Sequence, residues 1–205
     1  MSPQTTNKQF DSATGIFRRN GGILKTGEAL DQGIHRRTLY AMREAGIVER
    51  MERGLYRLAD LPPLSNPDLI TVALKVPQCV VCLISALHFH DITTQIPHVV
   101  SIAIKRGTER PRLKCPPIQP YWFSGEAFTT GVEQHSIDHT TVQIYSVEKT
   151  LADCFKLRNR IGMDTVREAL TLYRERKKPN PRKLMQFAKI CRVENVMRPY
   201  LEAQL

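Results

Sequence analysis

No run of eighteen apolar residues occurs anywhere in this 205-residue chain, so nothing in it reads as a membrane span. The first twenty residues, MSPQTTNKQFDSATGIFRRN, also lack the continuous apolar core of a secretory signal, which predicts a cytoplasmic protein. Cysteine is sparse and odd in number. Five residues at irregular spacing argue against a disulfide scaffold and read as reduced thiols. Also missing are a GxSxG nucleophile elbow, a phosphate-binding glycine loop and a metal-spaced cluster, so no catalytic residue, metal or cofactor is expected. No internal repeat or low-complexity tract breaks the chain into an array.

What the chain has in excess is positive charge. Thirty Lys and Arg face twenty Asp and Glu, a net charge of +10 that favours a polyanionic partner: DNA, RNA or an anionic membrane. The excess is polarised. Residues 1–60 carry ten basic and seven acidic side chains, residues 61–150 seven of each, and residues 151–205 thirteen against six. Hydrophobic residues at 41% and charged residues at 24% are ordinary for a globular protein.

The segment Leu61–Leu69, LPPLSNPDL, holds three prolines, a serine and an asparagine, which break both helix and strand. A domain boundary is expected there, separating residues 1–60 from 66–205. Asn66 and Pro67 are suited to starting a helix that runs to about Val76. From Gln78 to Tyr145 strand signals dominate: Val99–Lys105, Pro117–Phe123, and a hairpin of VEQHSI and TTVQIY turning at Asp138 and His139. A short helix, SALHFH, interrupts them. Helices are then predicted at Val147–Asn159, Asp164–Arg176 and Pro181–Arg192. Strands followed by a run of helices specify an α+β chain ending in a helical bundle.

At the N-terminal end, Ala13, Ile16 and Phe17 share one face of a short helix between Ser12 and Arg19, closed by Gly21 and Gly22. Thr26 is read as the N-cap of a second helix, which carries Ala29 and Leu30 and stops at Gly33. A third follows from Arg36 to Ala45, with Thr38, Leu39, Met42 and Ala45 on one side and Arg36, Arg37, Tyr40 and Glu44 on the other. Two helices about a glycine turn match the helix-turn-helix plan, and the following IVERMERGLYRL suits a two-stranded wing. Together they predict a winged helix-turn-helix. Arg36 or Arg37 is placed to donate twice to a guanine edge, with Tyr40 on a base or phosphate. Lys25, Arg50, Arg53 and Arg57 would hold phosphates, and Thr26, His35 and Arg43 complete the candidate DNA-contact set. The competing reading is a solvated helix face on a protein-binding domain, and Glu28, Glu44, Glu49 and Glu52 keep it open.

Elsewhere the chemistry is thin. Cys79 and Cys82, with His88 and His90 nearby, have the ingredients of a zinc site, but the residues between the cysteines are valines in an apolar run. Burial in a core is expected for the thiols, and packing or capping for the histidines. Asp138, Glu148, Lys149 and Asp153 contain the groups of a metal-dependent nuclease at loose spacing. Lys149 and Asp153, four apart, read instead as a surface ion pair. The run RERKKPNPRK places Arg174, Arg176, Lys177, Lys178, Arg182 and Lys183 around two prolines, as a second DNA contact, a docking site for an acidic partner, or a solvated surface.

Three segments carry a family resemblance: RGLYRL at Arg53–Leu58; VPQCVVCLISALHFHDITTQIPHVVSIAIKRG at Val76–Gly107; and IYSVEKTLADCFKLRNRIG at Ile144–Gly162, followed by REAL at Arg167–Leu170. Together they resemble the AbiEi family of antitoxins and transcriptional regulators from bacterial type IV toxin-antitoxin and abortive-infection operons. The resemblance implies a non-enzymatic autorepressor whose winged helix-turn-helix binds operator repeats in its own promoter. It further implies a C-terminal antitoxin domain, residues 66–205, that counteracts a nucleotidyltransferase toxin, with basic surface from Arg158 to Lys189 assisting on DNA. A stand-alone DNA-binding regulator without a toxin, and a DNA-targeted nuclease, are the alternatives. No membrane partner is expected.

Overall fold

The computed structural model describes the backbone of residues 3–176 and 179–202, with side chains from Lys8 onward. The first helix, α1, spans Pro3–Arg19 and so begins well before Ser12; it buries Ala13 and Phe17 and half-buries Phe10 and Ile16. Its end is a Schellman cap: Gly22 N donates to the Phe17 carbonyl at 2.7 Å and Gly21 N to that of Arg18 at 3.3 Å.

A three-residue strand, β1 (Ile23–Lys25), leads into α2 (Thr26–Asp31). Lys25, not Thr26, occupies the N-cap, and its backbone N–H is met by the Glu28 carboxylate at 2.8 Å. Thr26 is the first helical residue. The α2 cap repeats that of α1, with Ile34 N on the Ala29 carbonyl and Gly33 at φ 90°, a left-handed conformation open to glycine at no steric cost. Helix α3 (Arg36–Glu44) then packs Leu39 and Met42 inward, while Ala45, expected on that face, is exposed beyond its end. Strands β2 (Val48–Glu52) and β3 (Leu55–Leu58) form an antiparallel hairpin through Gly54. The sheet order is β1-β3-β2, so β3 is central and all four of its residues are buried. These elements form one compact unit, Met1–Ser65.

The second unit, Asn66–Leu205, opens with α4 (Pro67–Lys75), the proline in its first turn. Strand β4 (Val80–Val81), α5 (Leu83–Phe89), β5 (Val100–Lys105) and β6 (Ile118–Phe123) follow. A one-turn helix α6 (Glu126–Thr129), with no counterpart in the sequence reading, precedes the hairpin β7 (Val132–Ile137) and β8 (Thr140–Tyr145). Asp138 and His139 turn that hairpin with φ of 44° and 65°, both positive as a tight two-residue reversal demands. The five strands lie in the order β6-β5-β4-β8-β7, with β5–β6 and β4–β8 parallel and the other pairs antiparallel.

The C-terminal part is helical, as expected, but differently divided. The segment expected as one helix to Asn159 is split into α7 (Val147–Lys156) and α8 (Arg158–Ile161). Then come α9 (Met163–Glu175), α10 (Pro181–Ile190) and an unanticipated α11 (Glu194–Glu202) that contains Pro199. Helix α7 contacts α5, α9, α10 and α11, and every residue from Glu148 to Phe155 is buried. The chain is thus the α+β mixture its patterning specified. Among the described residues no helix is long and apolar enough to cross a membrane.

Candidate nucleic-acid interface

The amphipathic pattern of α3 fixes what the first unit shows to solvent. With Leu39 and Met42 fully buried, the opposite face presents Arg36, Arg37, Tyr40 and Arg43, all exposed. Tyr40 is 41% accessible, and Arg43 lies over its ring at 5.7 Å, so cation and aromatic form one patch. At the head of the helix His35 is the N-cap: its Nδ1 accepts from Arg37 N at 3.3 Å. With Nδ1 accepting, Nε2 is the ring nitrogen left to donate. Lys8 and Ser12 of α1 join His35 and Thr38 around an open groove of about 330 Å³ beside this end of α3. The sequence reading began α1 at Ser12 and missed Lys8, because residues 3–9 are polar and show no apolar period, although Pro3 is a residue suited to a helix's first turn.

The acidic residues that argued against a DNA-binding surface are largely occupied. Of those four, Glu28 pairs with Lys25 at 3.4 Å, Glu49 with Arg57 at 2.9 Å, and Glu44 sits 4.0 Å from Arg43; Asp60, outside that set, pairs with Arg18 at 2.7 Å. Exposed pairs of this kind add little stability, but they decide where the field is uncancelled. Arg36 and Arg37 make no side-chain hydrogen bond or ion pair among the described residues.

The hairpin is more varied than its three arginines suggest. Arg50 is exposed, its Nε donating to the Glu52 carbonyl at 3.3 Å, and Arg53 is exposed at the turn. Thr26 is half-buried and its N–H donates to the Gly54 carbonyl at 2.9 Å, which fixes the turn beside the start of α2. Arg57 is a correction. It is only 5% exposed, and its guanidinium is bound to Glu49 and to the Pro62 carbonyl, so it cannot reach a phosphate. Alternation along the hairpin put it outside; pairing of β3 on both edges puts it in.

In the second unit the candidate chemistry resolves into structure. Lys149 and Asp153 form no surface pair: at 0% and 1% side-chain exposure they meet at 2.5 Å inside the core. The Lys149 ammonium also lies 4.1 Å from the centre of the Tyr145 ring and 5.1 Å from that of Phe123. Asp153 accepts from Cys191 Sγ at 3.2 Å; burial pushes its carboxyl above the usual range, against the pull of Lys149. Glu148 accepts from the Tyr173 hydroxyl at 3.2 Å. The core encloses the Lys149–Asp153 pair, and Asp138 is apart from it in the β7–β8 turn.

Cys79 and Cys82 are buried, with desolvation raising the first thiol to about 12 and the second well above the ordinary value. Among the described residues no group of three or more His, Cys, Asp or Glu is arranged to hold a metal. His90 is buried with Nε2 at 2.7 Å from the Tyr145 carbonyl, and burial lowers its pKa.

The basic run divides. Arg176 donates to the His90 carbonyl at 2.5 Å, and Lys183 reaches Glu148 at 3.3 Å and Glu133 at 3.7 Å, so both are engaged within the fold. Arg174 and Arg182 are exposed, and Lys177 and Lys178 lie outside the described residues.

Comparison with known proteins bears on both units. Among curated proteins no relative matches. The crystal structure of the RV2827C protein from Mycobacterium tuberculosis is similar in fold, with a TM-score of 0.62 at 12% identity over 90% of this chain and 71% of that one. Residues 16–59 match the family of AbiEi antitoxin transcriptional regulators, AbiEi_4, so the resemblance read from the sequence is supported on the segment that holds α2, α3 and the hairpin.

Proposed function

We propose that the first unit is a winged helix-turn-helix that binds duplex DNA, and that the chain is an antitoxin and transcriptional autorepressor. The observation that carries this reading is the face of α3. Two arginines in its first turn lack any carboxylate partner among the described residues, next to an exposed tyrosine, on a helix anchored from behind by Leu39 and Met42. An arginine fork donates to O6 and N7 of guanine in the major groove, which is how the head of a recognition helix discriminates sequence. Arg43 at the far end of α3, with Lys25, Arg50 and Arg53 on neighbouring elements, would be phosphate contacts, and β2–β3 serves as the wing. Arg57 has no place in that set. The match of residues 16–59 to a family of regulators supports the regulatory role.

Replacing Arg36 and Arg37 together by alanine is expected to abolish the specific gel shift on operator DNA from the chain's own promoter. Because both side chains are exposed, stability should change by less than about 0.5 kcal/mol. Specific binding that survives the double substitution overturns the role of α3.

The antitoxin half rests on the family resemblance: the second unit would counteract a nucleotidyltransferase toxin encoded beside this chain. Co-expression with the adjacent gene should restore growth to cells that the toxin alone arrests. The absence of rescue, or of such a neighbouring gene, leaves a DNA-binding regulator without a toxin.

A further inference from the structure

The second unit also contains a cavity of about 490 Å³ near the ends of β6, α7 and α10, and none of its lining belongs to the DNA-binding set. Its size falls in the range of small-molecule sites. Arg106, Lys156 and Arg192 line it, against a single carboxylate, Glu126. All three cations are exposed, and none has a side-chain hydrogen bond or ion pair among the described residues. The contrast with Arg176 and Lys183, both held by acceptors of the fold, is direct.

Two further observations point to a ligand. Trp122, the chain's only tryptophan, lines the same cavity at 42% exposure. Its Nε1 donates to the Thr108 carbonyl at 2.9 Å, which fixes the indole plane while leaving ring surface uncovered. The second is backbone. Helix α10 ends in the same Schellman cap as α1 and α2: Val193 N donates to the Ala188 carbonyl and Arg192 N to that of Lys189. The position that is Gly21 or Gly33 in those helices is here Arg192, at φ 60°. A side chain is disfavoured in that conformation, and glycine would relieve it. Strain retained at a cavity wall fits a side chain kept for what it touches.

We infer that this cavity binds a nucleoside di- or triphosphate, with Arg106, Lys156 and Arg192 on the phosphates and the base stacked on Trp122. Guanidinium and ammonium groups suit phosphate oxygens, and an indole face accepts any base. The site is independent of the DNA-binding reading and would stand without it.

The lone tryptophan reports occupancy directly. The full chain is titrated with ATP and with GTP, watching Trp122 fluorescence, with adenosine and inorganic tripolyphosphate as separate arms. The expected result is a saturable change with at least one nucleotide, competed by tripolyphosphate and absent with adenosine. R192G removes a cation while favouring the left-handed backbone, so it should fold at least as well and weaken binding about tenfold or more, the worth of one charge-assisted hydrogen bond. R106A should do the same from an exposed position. No saturable response to either nucleotide overturns the proposal, as does adenosine binding as well as ATP, or unchanged affinity in both variants. A single-stranded DNA oligonucleotide is a further arm, and a response confined to it also overturns the proposal, since it would make the cavity part of a strand-binding surface.

Discussion

Helices α3 and α7 use charge in opposite directions. In α3 the arginines point outward over a buried Leu39–Met42 stripe, whereas α7 buries Glu148, Lys149 and Asp153 and satisfies them inside the fold. A helix enclosed on all sides is ordinarily apolar. The three buried charges of α7 are tolerated because each meets a partner: Asp153 and two aromatic rings for Lys149, Cys191 for Asp153, Tyr173 and Lys183 for Glu148. The arginines of α3 face solvent, whereas the buried charge of α7 is committed to the shape of the second unit.

The comparison is broken most severely by Lys149→Met. It leaves Asp153 buried without its cation, and chemical denaturation should show a loss of about 3–5 kcal/mol, the usual consequence of removing one member of an enclosed pair. The double variant K149M/D153L should recover most of that loss. If K149M costs no more than a surface substitution, the pair is not enclosed as described.

Arg57→Ala comes next. It strands the Pro62 carbonyl and frees Glu49, which is already half-exposed, so the expected cost is about 2 kcal/mol in thermal or denaturant melts of the first unit. Its DNA binding, measured well below the melting temperature, should persist. Selective loss of binding in a fully folded R57A protein would return Arg57 to the interface. The Arg36/Arg37 double substitution lies at the bottom of the same scale: almost no stability change and complete loss of specific binding.

The parts legible in the sequence were those set by local rules. The apolar spacing on α3, the Pro67 start of α4 and the β7–β8 reversal at Asp138–His139 each follow from a few neighbouring residues. What was not legible depended on partners far along the chain. An i,i+4 Lys–Asp pair has the same spacing on a surface as in a core, and only the packing of α5, α9, α10 and α11 around α7 decides between them. Strand β1 is too short to show a period of two, yet by covering the second edge of β3 it helps turn Arg57 from a surface arginine into a buried one. The lining of the 490 Å³ cavity comes from segments as far apart as Arg106 and Arg192, with no common motif.

The bond from Arg57 to the Pro62 carbonyl also says where the chain can be divided. The last strand residue of the first unit is Leu58, and a cut after Asp60 would look sufficient on secondary structure alone. Such a fragment would lose the acceptor that meets one arm of a buried guanidinium, along with Leu61, which packs against Gly22. A fragment ending at Ser65 keeps both. The proline-rich stretch is therefore only partly a spacer: its first two residues are anchored to the first unit.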